Sequence, residues 1–223
     1  MKKTNSDYSL RQAILLSVMA VTVLWVVQSA GVLFSWPLSL LGIIPLDPVR
    51  LYGILTAPLV HSGYEHLFNN TLPLLVLGSA LLYGYPRTRL WVVLFAWLGS
   101  GIGVWLFGRE ATHLGASGVA HGMFFYLFVV SVLRRDARSV GLMMIAFFMY
   151  GTMILTIFPT EPDISYEAHF FGALGGVICA LLLWRNDPKP VRKTYSWENE
   201  EEQDDPVIQD MWRDPDGEHE HRD

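Results

Sequence analysis

The sequence predicts an all-α polytopic membrane protein with six transmembrane helices, and two observations lead to this prediction. First, hydrophobic residues make up 52% of the chain and charged residues only 17%, and the hydrophobic residues form long blocks. Second, the connections between these blocks alternate between many and few basic residues. A helix needs about 20 mostly apolar residues to cross a bilayer, so each block can provide one crossing.

The predicted spans cover residues 12–35, 67–84, 89–107, 117–133, 139–158 and 168–184. The segment between the first two spans is also apolar, but it is interrupted by Pro37, Pro45, Pro48 and Pro58. Proline breaks a straight helix because it lacks an N–H donor and clashes with the preceding turn. We therefore expect this first outer loop to lie in the membrane interface as short amphipathic pieces.

Basic residues predict the orientation of the spans, because cytoplasmic connections are rich in lysine and arginine. One side has only Arg50 and Arg109. The other side has twelve basic residues: Lys2, Lys3, Arg11, Arg87, Arg89, Arg134, Arg135, Arg138, Arg185, Lys189, Arg192 and Lys193. Both termini are therefore expected in the cytoplasm, and the expected location is a bacterial inner membrane.

Composition also divides the chain into a cytoplasmic N-terminus (1–11), a membrane domain (12–185) and an acidic tail (186–223). The last thirty residues hold twelve of the chain's 21 acidic residues, and we expect the tail to be disordered. Its apolar residues are a possible docking motif for a cytoplasmic partner: Trp197, Val207, Ile208, Met211 and Trp212.

Several classes of function find no support in the sequence. No basic patch with interleaved aromatic residues indicates a nucleic-acid partner. The single cysteine, Cys179, excludes an intrachain disulfide and is expected to be a small core residue. His219 and His221 could bind a metal weakly, but a solvated acidic tail is the preferred interpretation.

The topology places polar residues from distant parts of the sequence at one depth. The second, fourth and sixth spans all begin at the outer face, and they open with His66 and Asn70, with Ser117, and with His169, respectively. Strongly polar residues at membrane depth are costly and usually mark a functional site. We expect a polar layer near the outer surface, built from three helices.

Ser117 is the candidate nucleophile of this layer, since His169 lies at matching depth on another helix and could take its proton. Glycines four residues apart let helices approach closely. Each of these two spans has such a pair: Gly118 and Gly122, and Gly172 and Gly176. By themselves, Ser117 could instead cap or pack a helix, and His169 could be an interior histidine with satisfied hydrogen bonds.

Acyl transfer also needs hydrogen-bond donors where the oxyanion develops. His66 and Asn70 are four residues apart and share one helix face, so together with the backbone N–H of Ser117 they are candidates for an oxyanion hole. An interhelical hydrogen bond with no catalytic role is the alternative for Asn70.

Three motifs in these spans resemble the signatures of rhomboid intramembrane serine proteases. They are GASG, which begins at Gly115, HLFNN at residues 66–70, and AHFFGALGG at residues 168–176. Each motif alone is common, but their order and shared depth make the combination specific. The resemblance covers all six spans, and it implies a six-transmembrane-helix rhomboid-like bundle with an interfacial first outer loop.

The resemblance further implies a Ser–His dyad without an acidic third member, and no metal or cofactor. Ser117 would be the nucleophile, and His169 the general base and then the general acid. His66, Asn70 and the Ser117 amide would form the oxyanion hole, and His61 would be structural or bind water. The implied partners are the lipid bilayer and membrane proteins that are cut in or near a transmembrane segment from the outer side.

The chain departs from the family pattern at two places. Tyr52 and Gly53 stand where rhomboids often have Trp-Arg, and Arg50 precedes them. His121 stands four residues after the serine, where an aromatic residue commonly packs on the catalytic imidazole. It could stack on His169, hydrogen-bond it or compete with it as base. We favour stacking or orientation, because a residue on the serine's own helix has little freedom to reach the hydroxyl.

The alternative function is that of a catalytically inactive relative that binds membrane proteins for quality control or transport. Such relatives usually lose the serine or the histidine, whereas this chain has both. A channel or solute transporter would place polar residues along a path through the bilayer. Here they cluster at one end, which favours a protease.

Overall fold

The computed structural model of the chain describes residues 8–159 and 164–190. This part is helical and contains seven α-helices: α1 Leu10–Leu33, α2 Gly53–Thr56, α3 Tyr64–Gly84, α4 Arg89–Phe107, α5 Ser117–Arg134, α6 Ala137–Tyr150 and α7 Tyr166–Leu183. The predictions for the tail motif and for His219 and His221 concern residues outside the described ranges.

The prediction of six membrane spans is confirmed. Helices α1, α3, α4, α5 and α7, and α6 together with its extension to Ile154, are long and apolar enough to cross a membrane. The fifth span differs most from its prediction, which ran to residue 158. The α-helix ends at Tyr150, and a 3-10 helix follows over Gly151–Ile154. Hydropathy does not detect this change, because apolar residues continue past Gly151, a poor helix former.

The first outer loop consists of short helical pieces, as predicted. Besides α2 it contains the 3-10 helices Leu38–Leu41, Pro48–Arg50 and Ala57–Leu59. The residues that depart from the family pattern pack within the loop: the Tyr52 hydroxyl donates to the Leu40 carbonyl over 2.9 Å. A side chain at Gly53 would meet the Gly42 carbonyl. This close approach explains why residue 53 is a glycine.

Helix α5 lies at the centre of the bundle and has the largest buried share of the six spans. It packs against α3, α4, α6 and α7, and α7 packs against both α4 and α5. Large side chains from three helices meet in the main core: Leu77, Leu81, Val92, Phe124, Tyr126 and Leu127. Cys179 and Ala180 of α7 belong to the same core, so core packing holds α5 and α7 against each other.

Glycines bring α5 and α7 close together. A side chain at Gly172 would meet the carbonyl of Gly118, and one at Gly176 would meet the carbonyl of Gly122. The two contacts repeat at four-residue spacing, which is about one helical turn. In the first pair, Gly118 is the second residue of α5 and Gly172 lies in the second turn of α7, so the contact joins the N-terminal parts of the two helices.

Arg134 ties the other end of α5 to the chain that follows α7. Its guanidinium donates to three backbone carbonyls, those of Trp184 at 3.1 Å, Asp187 at 2.8 Å and Pro188 at 3.1 Å. It also donates to the Asp136 carboxylate over 2.8 Å. We call this group the Arg134 clamp. The packed chain therefore extends to Pro188.

The side chain of Asp187 points into the bundle from the same end. Its carboxylate accepts from the backbone N–H of Arg87 over 2.7 Å and from the hydroxyl of buried Thr88. Thr88 in turn lies 2.6 Å from the Tyr126 hydroxyl in the core. The connection between α3 and α4 is therefore joined to the chain that leaves α7.

Candidate active site

The structure brings Ser117 and His169 into direct contact. Ser117 is the first residue of α5, and His169 lies in the first turn of α7. The serine Oγ is 2.9 Å from the imidazole Nε2, and His169 is buried. Gly118 directly follows Ser117, and Gly172 lies three residues after His169, so the close helix approach at these glycines allows the short distance.

A backbone carbonyl determines which nitrogen of His169 has the proton. The other ring nitrogen, Nδ1, is 3.0 Å from the carbonyl oxygen of Thr156. A carbonyl can only accept, so Nδ1 must donate, and in the neutral ring Nε2 has the free lone pair. The Ser117 hydroxyl therefore donates to Nε2. This is the arrangement that a base needs in order to take the serine proton.

Sequence reasoning missed Thr156. Residues 139–158 were predicted as one span, whereas Thr156 lies in the turn after the 3-10 helix Gly151–Ile154. Its contact with His169 comes from a backbone carbonyl, which every residue type has. No pattern of side chains could have indicated it.

His121 stacks on His169. The ring centroids are 3.8 Å apart and the planes differ by 11°. Its Nδ1 is 2.7 Å from the Ser117 carbonyl, and its Nε2 is 2.8 Å from the Thr156 hydroxyl. Of the three arrangements considered from the sequence, the structure therefore shows stacking, with both ring nitrogens bonded to groups other than the serine hydroxyl.

The loop that leads into Ser117 is shaped around Gly115 and two histidines. Gly115 has a φ of +109°, which favours glycine, and a side chain there would collide with the His66 ring. The next residue, Ala116, donates its N–H to His61 Nε2 over 3.3 Å. Burial, and then the neighbouring His66, lowers the pKa of His61 to about 4. His61 Nε2 can accept this N–H only while the ring is neutral.

His66 and Asn70 flank this loop from α3. The His66 ring meets His61 edge to face at 5.0 Å between centroids, and its Nδ1 lies 3.2 Å from the Ser62 hydroxyl. Asn70 is buried, and its amide donates to the His66 carbonyl over 3.2 Å. The first N–H groups of a helix have no intrahelical acceptor. The Ser117 N–H, at the start of α5, belongs to this class.

A second polar group, centred on His113, connects the serine loop to α7. His113 is buried, and its Nε2 donates to the Arg109 carbonyl over 3.0 Å. Its Nδ1 therefore accepts from the Ser165 hydroxyl at 2.6 Å. Ser165 caps α7 by accepting the N–H of Ala168. The loop before Ser117 is thus joined to the helix end that bears His169.

Glu167 faces away from the dyad toward Arg109. The backbone N–H of Arg109 donates to the Glu167 carboxylate over 3.2 Å, and the guanidinium lies 3.8 Å from that carboxylate. Arg109 also donates to the Ile164 carbonyl over 2.7 Å. The nearest carboxylate in sequence to His169 is therefore paired with an arginine.

Within residues 8–159 and 164–190, no group of three or more histidine, cysteine, aspartate or glutamate side chains could hold a metal ion. Cys179 is buried in α7 with a free thiol.

Comparison with known proteins gives the family. The rhomboid domain model matches residues 48–186, a range that includes every candidate site residue. The chain belongs to the rhomboid family. Rhomboids are a family of intramembrane proteases, and the apolar helices make this chain an integral multi-pass membrane protein.

Two of the similar proteins are named only as uncharacterized, and a third is named as a rhomboid protease. An uncharacterized protein of Mycobacterium tuberculosis is 32% identical over 172 residues, which cover 73% of this chain and 72% of that protein. An uncharacterized protein of Mycobacterium leprae is 34% identical over 163 residues, which cover 69% of this chain and 62% of that protein. The "Putative rhomboid protease YdcA" of Bacillus subtilis is 28% identical over 142 residues, which cover 59% of this chain and 66% of that protein.

Proposed function

We propose that this rhomboid is an active intramembrane serine endopeptidase with a dyad of Ser117 and His169. The observation that supports the proposal is the 2.9 Å contact between Ser117 Oγ and His169 Nε2, combined with the Thr156 carbonyl on Nδ1. An inactive relative would have no need for a nucleophile and a base held in the correct tautomer.

The proposed reaction has two halves. The Ser117 oxygen attacks the carbonyl carbon of the scissile peptide while His169 Nε2 takes the hydroxyl proton. The imidazolium then gives that proton to the leaving amine as the C–N bond breaks, leaving an acyl ester on Ser117. A water molecule attacks the ester, loses its proton to Nε2, and releases the carboxylic acid when the proton returns to the serine oxygen.

The proposed oxyanion hole consists of the Ser117 N–H, His66 and Asn70. The Asn70 amide has two N–H groups, and the bond to the His66 carbonyl uses one of them. His66 lies against Gly115 of the serine loop. Removal of one oxyanion donor typically costs about 2.7–4 kcal/mol of transition-state stabilisation.

The proposed substrates are membrane proteins that are cut within or beside a transmembrane segment. A helix in lipid has all of its backbone groups paired, so the segment must unwind locally before Ser117 can reach a peptide carbonyl. The twelve basic residues on one side of the spans support an orientation in which the site opens to the outer face of a bacterial inner membrane.

Activity-based labelling tests the proposal. The purified protein in detergent is treated with a fluorophosphonate, which reacts with an activated serine. We expect labelling of the natural protein, no labelling of Ser117→Ala, and at least a hundredfold slower labelling of His169→Ala, because general-base help contributes about 10²–10⁴ in rate. Ser131→Ala is the matched control, since Ser131 lies on the same helix and bonds to the Phe128 carbonyl. It should label normally.

Labelling that survives in Ser117→Ala would disprove the assignment of the nucleophile. Co-expression with a panel of single-span membrane proteins, read by mass spectrometry of released ectodomains, then tests proteolysis itself. An inactive binding protein would bind panel members but release the same products as Ser117→Ala.

A further inference from the structure

Thr156 contacts both stacked imidazoles at once. Its carbonyl oxygen is 3.0 Å from His169 Nδ1, and its hydroxyl is 2.8 Å from His121 Nε2. It lies in the connection from α6 to α7, just after the 3-10 helix Gly151–Ile154, whereas the two histidines come from α7 and α5. A single residue outside both helices therefore touches the base and the ring stacked on it.

The direction of the hydroxyl bond follows from the backbone. His121 Nδ1 faces the Ser117 carbonyl at 2.7 Å, so Nδ1 donates and the Nε2 of the neutral ring accepts. The Thr156 hydroxyl therefore donates to Nε2. The Met153 carbonyl, a second acceptor within reach of the Thr156 hydroxyl, is farther from it at 3.2 Å. The hydroxyl bond to His121 thus joins the turn to a histidine that is buried in the bundle.

The two bonds from Thr156 depend on each other geometrically. The carbonyl belongs to the same residue as the hydroxyl, so a hydroxyl anchored on His121 limits how far the carbonyl can move from His169. His169 is then restrained at Nδ1 by the carbonyl, at Nε2 by Ser117, and on one face by His121. Small misplacements of a base reduce the rate of proton transfer.

We propose that Thr156 is a positioning residue of the dyad, whose hydroxyl bond to His121 holds its own carbonyl against His169 Nδ1. The inference rests on the proposed protease function. The proposed role belongs to the threonine side chain. A substitution can remove its hydroxyl while the backbone carbonyl remains, so the role can be tested.

Thr156→Val tests the hydroxyl, because valine has nearly the same shape. We expect kcat for a cleaved single-span substrate to fall about tenfold, equivalent to ~1.4 kcal/mol, with KM changed less than about twofold. Thr156→Ser retains the hydroxyl and should keep kcat within about twofold of the natural protein. Rates are expressed per fluorophosphonate-labelled site, so that unfolded protein does not enter the comparison.

Thr152→Val is the matched control. Thr152 lies four residues earlier in the same connection and is exposed. The same loss of a hydroxyl there should leave kcat unchanged. If Thr156→Val gives too little folded protein, Thr156→Ala is measured in its place with the same expectation.

A double-mutant cycle shows whether Thr156 acts through His121. His121→Phe keeps an aromatic ring for stacking but removes the acceptor of the hydroxyl bond. If the two residues act through one bond, Thr156→Val should have almost no further effect in the His121→Phe background. Fully additive losses would contradict the proposed coupling.

The outcomes separate this inference from the proposed function. A Ser117→Ala protein as active as the natural one would refute the protease mechanism itself. An inactive Ser117→Ala together with a fully active Thr156→Val would leave the protease in place and overturn only the role of Thr156. A tenfold loss that Thr156→Ser does not restore would also overturn it.

Discussion

At the scale of single residues, backbone carbonyls decide which ring nitrogen has the proton in three of the histidines. The Thr156 carbonyl fixes the proton of His169 on Nδ1, and the Ser117 carbonyl does the same for His121. The Arg109 carbonyl fixes the proton of His113 on Nε2. In each case the other nitrogen of the neutral ring faces a hydroxyl. Since a carbonyl never donates, each ring can offer that hydroxyl a lone pair.

His61 leads to a prediction about pH and stability. Its folded pKa is about 4, below its ordinary value of 6.5. Between these two values the unfolded chain takes up a proton that the folded chain does not, so stability falls as the pH decreases from 6.5 toward 4. We expect His61→Gln, whose amide oxygen can still accept the Ala116 N–H, to show a smaller decrease in melting temperature over this range.

The measurement is thermal unfolding in detergent at several pH values, with the natural protein and His61→Gln compared at each. The difference between the two isolates His61 from the other histidines. Identical pH dependence in both proteins would mean that His61 does not titrate as inferred.

At the scale of elements, the contact between α5 and α7 sets the geometry of the dyad. Where Gly176 faces the Gly122 carbonyl, no space remains for a methyl group. Gly172 faces the Gly118 carbonyl in the same way, one turn closer to the dyad. The distance between the two helices, and with it that between Ser117 and His169, therefore depends on glycine at these positions.

Gly176→Ala should push the two helices apart. Overpacking of this kind costs about 1–3 kcal/mol, so we expect a lower melting temperature and slower fluorophosphonate labelling at Ser117. Gly141→Ala is the control: Gly141 lies in α6 with no heavy atom within 4 Å of an added Cβ. There alanine should leave labelling unchanged and stabilise the helix by up to about 1 kcal/mol. Equal effects of both substitutions would argue against the close contact.

At the scale of the whole molecule, two polar groups lie at opposite ends of α5. The dyad lies at its first residue and the Arg134 clamp at its last, about 26 Å apart for 18 residues. Between them α5 passes through the apolar core. The clamp holds the ends of α5 and α7 together at one end, while the glycines and the dyad join the same two helices at the other.

Arg134→Ala should destabilise the bundle, because it removes the guanidinium that donates to Asp136 and to three backbone carbonyls. A broken buried ion pair costs about 3 kcal/mol or more. Arg135→Ala removes the same charge from the next residue, which is exposed and bonds only locally to the Val132 carbonyl. We expect a clear decrease in melting temperature for Arg134→Ala and little change for Arg135→Ala. Similar melting temperatures for the two would contradict the clamp.

The effect of Arg134→Ala should persist through the neutral pH range. Burial raises the pKa of Asp136, but hydrogen bonds from the Ser139 amide and from Arg134 outweigh it and hold that pKa below the usual 3.8. The ion pair therefore contributes fully above 3.8 and is lost as the pH falls through the lower folded value.

Much of the architecture was accessible from the sequence. The six spans, the broken first outer loop and the resemblance to rhomboids followed from hydropathy, prolines and three motifs, which are properties of residue types in order. The fifth span shows the limit: apolar residues continue past Tyr150, so hydropathy extended a helix that the backbone ends there.

The sequence by itself determined the family and the candidate residues Ser117 and His169, because the bilayer allows only long apolar helices and tolerates few polar groups within them. Only the tertiary structure decided that His121 stacks, that His113 is buried, and that Thr156 contacts both rings. The physical reason is that these features depend on contacts between distant parts of the chain, several of which are made by backbone carbonyls. A carbonyl is the same in every residue, so only its position in space distinguishes it.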